Sequence, residues 1–187
     1  MSRKLLYLMS DIVIFTDGAV PNNQSKMKNK GGVGVFFGEN DPRNISLTIN
    51  ATNEQPKVTN QVCETIACIK AIETLDNHNL YKNIIIKTDS MYLVNSMTTW
   101  ANKWEKNNWM KADGKPVQNL ELIKKLYQLS KKLNVKYMHV KAHTKAPPLD
   151  SILYSDYYGN YMADKLATSA CNTSACNTSA CITSASL

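Results

Sequence analysis

The chain has 187 residues, 43% of them apolar and 20% charged, which is enough for one sizeable core and argues against a disordered or fibrous protein. Twenty-two Lys and Arg against fifteen Asp and Glu give a formal charge of +7 and a pI near 9.1, a balance that favours a polyanionic partner. No stretch approaches the roughly 20 apolar residues of a membrane span, and no cleavage site follows the apolar start, where Asp11 interrupts the run.

Residues 1–11 read as an N-terminal extension. The first predicted strand is Ile12 to Thr16, apolar and β-branched throughout, as in a strand covered on both faces. After Asp17 the loop AVPNNQSKMKNK breaks the periodicity. Two further strands, Gly32 to Phe37 and Ile45 to Asn50, are separated by the turn-rich GENDPRN. Connections this short predict an antiparallel meander, because parallel neighbours need a longer crossover.

A helix is predicted from Asn60 to about Leu75, with Thr59 or Asn60 as its N-cap. Cys68, Ala71, Ile72 and Leu75 share its inward face, while Lys70, Glu73 and Thr74 turn outward. Glu64 stacks on the inward row, so a carboxylate in the first turn points toward the sheet. Next come a strand at Ile84 to Thr88, a helix from Ser90 to Trp100, and a segment rich in Lys and Trp. A helix at Leu120 to Leu133 and a strand at Val135 to Val140 follow. The element order predicts an α/β domain with a mixed sheet.

Five cysteines include Cys63 and Cys68, whose five-residue separation in one helix does not favour a bridge, and three more in the repeat SACNT, SACNT, SACIT. This last segment, residues 169–187, has almost no large apolar group and is expected to be disordered. Reduced thiols and no secretion signal together predict a soluble intracellular protein, cytoplasmic or nuclear, with no membrane partner.

Asp17 and Asp89 each follow a buried strand directly, at the carboxyl ends where α/β sheets gather reactive groups. With the first and fourth strands adjacent, these carboxylates converge, and Glu64 leans over the same place. Such acids repel one another unless cations bind between them, and magnesium suits oxygen ligands. The competing reading is local turn chemistry at two strand ends.

The motifs FTDGA at 15–19, TNQVCE at 59–64, TDS at 88–90, KAH at 141–143 and GNYMADKLA at 159–167 together resemble type 1 ribonuclease H, in the family's order. The likeness spans about residues 12–167, and the catalytic domain is read as residues 12–168. It implies the ribonuclease H-like fold, a five-stranded mixed sheet flanked by helices. It further implies four metal-binding catalytic acids, Asp17, Glu64, Asp89 and Asp164, with Asp150 and Asp156 as competitors for the fourth place. Two Mg2+ ions about 4 Å apart, with Mn2+ as an alternative, would act on the scissile phosphate of an RNA–DNA hybrid. His143 matches the family histidine that assists proton movement or product release. Asn60 and Gln61 match positions that contact RNA 2′-hydroxyls, and Lys57, Thr59 and Asn119 match a pocket for a DNA phosphate. Trp100 and Trp104, with Trp109 less firmly, match the basic protrusion that lines the DNA backbone. A monomer is expected. A ribonuclease H domain derived from a reverse transcriptase and a non-catalytic hybrid-binding module are the rival readings.

The pattern departs from the family in the longer APPLDSILYSDYYG between His143 and Asn160, in Ala142 where a glycine is usual, and in Met91.

Overall fold

The computed structural model describes residues 10–21, 30–75, 80–142 and 144–172. Five strands, β1 (Ser10–Ala19), β2 (Lys30–Phe36), β3 (Ile45–Asn50), β4 (Tyr81–Thr88) and β5 (Val135–His139), form one sheet in the order β3-β2-β1-β4-β5. The β1–β2 and β2–β3 pairs are antiparallel, whereas β1–β4 and β4–β5 are parallel. The expected meander and mixed sheet are both present. Two residues beyond the Phe15–Lys87 pairing, the β1–β4 register sets Asp17 level with Asp89.

Alternation along β1 sorts its side chains between two helical layers. Ile14, Thr16 and Gly18 face α1 (Asn60–Glu73), while Val13, Phe15 and Asp17 face α5 (Tyr154–Asn172). The main core lies on the α1 side, where Ile14, Val33, Ile86, Cys68, Ile72 and Leu126 are wholly buried. Helix α1 begins at Thr59, whose hydroxyl accepts from the Val62 N–H at 3.3 Å, and Cys68, Ala71, Ile72 and Leu75 are buried along its inner face, as the wheel predicts. Helix α4 (Leu120–Leu133) packs on α1 and stops at Asn134, whose left-handed φ of 51° turns the chain into β5.

The helix expected from Ser90 to Trp100 is composite. Ser90 caps α2 (Met91–Asn95), a π-helical turn covers Ser96–Trp100, and α3 (Ala101–Lys106) continues it. Two expected boundaries are corrected by packing. Strand β1 begins at Ser10, so Ser10 and Asp11 belong to the sheet and not to an N-terminal extension. The disorder expected from residue 169 does not begin there: α5 runs on to Asn172, burying Ala170 and Cys171 against β2 and β3, and the Ala170 carbonyl accepts from Thr48 Oγ1 at 2.7 Å. Small residues made that segment look coreless, yet small residues are what let α5 approach the glycines of β2. A Cβ on Gly34 would overlap the backbone of Ala163. The remaining repeats lie outside the described residues.

Candidate active site

Each of the four acids is delivered by a different element. Asp17 comes from the end of β1, Glu64 from the first turn of α1, Asp89 from the residue after β4, and Asp164 from the middle of α5. All four line one open cavity of about 730 Å3, with Asn60, Thr168 and Asn172 on its wall. Gly18 is what lets the first turn of α1 come so near, since a Cβ there would collide with the backbone of Cys63 and Glu64.

Three of the four carboxylates accept a hydrogen bond, and Asp89 is fixed through its backbone. Asp17, only 8% exposed, accepts from the Gly18 N–H through Oδ1 at 2.7 Å. Glu64 is half-buried, and its Oε2 accepts from the Ser90 hydroxyl at 2.5 Å. The Asp89 carbonyl accepts from His139 Nε2 at 3.2 Å, which ties the turn after β4 to the end of β5. Asp164 Oδ1 accepts from Thr168 Oγ1 at 3.3 Å, one helical turn on.

Their electrostatics are those of a like-charge cluster. Burial first, then Asp89, Asp164 and Glu64, push the Asp17 carboxyl up to about 8 against the pull of the Gly18 N–H. Burial, reinforced by Asp89 and opposed by the Ser90 hydroxyl, raises Glu64 as well. Among the described residues, no three Asp, Glu, His or Cys side chains form a group that could hold a metal ion unaided. The donor set still fits magnesium, which keeps several waters and takes one or two carboxylates with substrate phosphate oxygens.

The competitors for the fourth acid stand elsewhere. Asp156 is ion-paired with Lys87, Asp150 is exposed, and neither lines this cavity. His143 lies outside the described residues. Asn60 is exposed at the cavity rim, with Gln61 half-buried beside it and Lys57 exposed just before the helix. Thr59 and Asn119 precede α1 and α4, two helices that pack together; the Thr59 hydroxyl is engaged as a cap, and the Asn119 side chain makes no capping bond. Trp100 and Trp104 are half-buried with ring centroids 5.8 Å apart, and Tyr92 lies 5.9 Å from Trp100, so packing and partial exposure coexist. Trp109 packs edge-on against Tyr127 at 5.8 Å, with Lys124 over its ring.

Sequence reasoning missed the role of Ser90 toward Glu64, although its position after a strand and before a helix marks a cap. Thr168, Cys171 and Asn172 were missed because the final helix was ended too early.

This strand order, with four acids around one cavity at the carboxyl ends of β1 and β4, defines a carboxylate-based site on an α/β sheet. The family model for RNase H matches residues 9–172, and the chain belongs to that family. Ribonuclease H1 of Homo sapiens is 33% identical over 168 residues, covering 89% of this chain and 52% of that protein. Ribonuclease H of Schizosaccharomyces pombe is 39% identical over 155 residues, 83% of this chain and 51% of that one. Ribonuclease H of Maricaulis maris is 33% identical over 159 residues, and there the match covers 92% of the relative. The chain thus spans about half the length of the human and yeast relatives. Among solved structures, the PFV RNase H domain superposes with a TM-score of 0.59 at 26% identity, covering 87% of this chain and 94% of that domain. Among the described residues, no helix is long and apolar enough to cross a membrane.

Proposed function

We propose that this chain is an endonuclease that hydrolyses the RNA strand of RNA–DNA hybrids. The observation that carries the reading is the single cavity shared by Asp17, Glu64, Asp89 and Asp164, each from a separate element. These four side chains would hold two divalent ions, Mg2+ with Mn2+ as a substitute. Ions held there would supply an activated water and charge stabilisation for the leaving 3′ oxygen, chemistry that would give 5′-phosphate and 3′-hydroxyl ends.

The chain's own groups do the positioning. The Gly18 N–H fixes one oxygen of Asp17, and Ser90 fixes one oxygen of Glu64, so both carboxylates are oriented before substrate arrives. The raised Asp17 carboxyl reflects burial first and then the strain of gathering like charges, which a bound cation would relieve. Asn60 at the cavity rim and Gln61 beside it are suited to contact RNA 2′-hydroxyls, the groups that distinguish RNA from DNA. Lys57, Thr59 and Asn119 serve a phosphate of the DNA strand, while Trp100 and Trp104 with Lys103 and Lys106 grip its backbone. His143 assists proton movement or product release. The protein acts as a monomer in a reducing compartment inside the cell, with Cys63, Cys68 and Cys171 free.

A hybrid labelled on its RNA strand, incubated with Mg2+ or with a chelator, tests this. The expected result is shortened RNA with Mg2+ alone; a shifted but uncut hybrid under both conditions would make the chain a binding module instead.

A further inference from the structure

Beside the main cavity lies a second, smaller one of about 80 Å3, which shares Asp89 and Asp164 with it and is walled by Lys141, Tyr157, Asn160 and Tyr161. None of these four residues has a part in the functional reading so far. The space is about a ninth of the main cavity and has room for ordered water. It admits a phosphate or the hydroxyl edge of a ribose, and it excludes a whole nucleotide.

The chemistry of the wall matches such a group. Lys141 is exposed and brings a cation to the opening. Asn160 is 5% exposed, and its Oδ1 is buried with no hydrogen-bond partner among the described residues, an acceptor that a sugar hydroxyl could satisfy. Tyr157 and Tyr161, both in the wall, lie nearly parallel on successive turns of α5, with an interplanar angle of 8° and centroids 6.2 Å apart. Tyr161 is 42% exposed, and Lys165 lies over its ring at 5.2 Å. An aromatic face flanked by lysines, one helical turn from a catalytic carboxylate, is a surface on which a base can stack. Asp156 on this helix is occupied by Lys87, which leaves Asp89 and Asp164 as the acids that face the small cavity, with Lys141 as the cation beside them.

We infer that Lys141, Asn160 and Tyr161 form a subsite for one ribonucleotide of the cut strand, next to the scissile phosphate. Its phosphate or ribose edge enters the small cavity beside Lys141 and Asn160, and its base lies outside against Tyr161. The inference rests on the functional reading above, because the shared acids are what place the cut strand here. It adds a nucleotide contact on the α5 side of the acids, opposite in the fold to the side of α1 and the tryptophan pair.

The test is a scan of hybrids, each with one abasic ribose at a successive position of the RNA strand, cut by wild type, Tyr161→Ala, Tyr161→Phe and Lys141→Gln. Both altered side chains are at the surface, so melting temperatures should match wild type. Wild type should show one position near the cut where losing the base raises KM about tenfold, the size of one aromatic–base stack. Tyr161→Ala should raise KM on the intact hybrid by a similar factor, with kcat within about twofold, and should lose the penalty at that position; Tyr161→Phe should keep it. Lys141→Gln should raise KM at every position alike. An unchanged KM and abasic profile in Tyr161→Ala overturns the subsite, as does a profile that responds only to abasic sites in the DNA strand. The same scan read as hybrid binding by fluorescence anisotropy in chelator separates the two readings: wild type that never cuts refutes the activity, while a flat binding profile refutes the subsite.

Discussion

Ser90 and Glu64 are joined by a 2.5 Å hydrogen bond that links the cap of α2 to the first turn of α1, directly beside Asp89. The same Ser90 hydroxyl accepts from the Leu93 N–H at 3.4 Å, so one oxygen starts a helix and orients a carboxylate. Ser90→Ala should therefore lose both functions. The expected cost is about 1 to 2 kcal/mol, of which a lost cap is typically about 1, with cleavage falling further than stability alone explains. Chemical denaturation and steady-state rates on the same preparation check this; unchanged cleavage would show that Glu64 needs no such partner.

Asp17→Asn should stabilise the metal-free fold while abolishing cleavage. The Asp17 carboxyl stands near 8 in the folded protein against 3.8 when unperturbed, so the folded state holds its proton more tightly than the unfolded chain. That contribution is fully present below about pH 3.8 and is lost as pH rises through 8. In chelator, the melting temperature of wild type should fall relative to Asp17→Asn between pH 4 and 9, and added Mg2+ at pH 8 should raise wild type but not the variant. Parallel pH curves for the two proteins would contradict the proposed strain.

Gly18→Ala introduces a methyl group where the backbone of Cys63 and Glu64 already stands. Overpacking of this kind costs about 1 to 3 kcal/mol, and here the helix that must retreat carries Glu64. Urea denaturation should show the loss and cleavage should fall with it. A variant of wild-type stability would mean that α1 can shift freely.

A chain ending at Thr168 should be less stable than one ending at Asn172, by about 1 to 3 kcal/mol for the buried Ala170 and Cys171 and the Thr48 hydrogen bond. Thermal melts of the two truncations decide it, and equal melting temperatures would show that the last turn of α5 contributes nothing.

The parts of this fold that a sequence displays are those set by local periodicity. The β-branched run Ile84–Ile86 and the amphipathic Leu120–Leu133 announce themselves, and β3 and α4 fall at their expected boundaries. Glu64 could be placed over the sheet because it shares a helical row with Cys68, Ala71 and Leu75. What could not be seen depends on partners distant in sequence. Ala170 and Cys171 look like tail residues until the glycines of β2 offer α5 a place to lie. The π-helical turn at Ser96–Trp100 has no pattern of its own, and Ser90 reaches Glu64 only because the first turn of α1 meets the start of α2. Asp156 matched no motif, but only its ion pair with Lys87 shows that it is already engaged.

The most direct test of the account is hybrid cleavage in Mg2+ by wild type and by Asp17→Asn, Glu64→Gln, Asp89→Asn and Asp164→Asn, with hybrid affinity measured in parallel. Cutting of the RNA strand by wild type, its loss in all four amide variants and near wild-type binding throughout is the predicted result. Wild-type rates in any one of the four, or cleavage that persists in chelator, would contradict it.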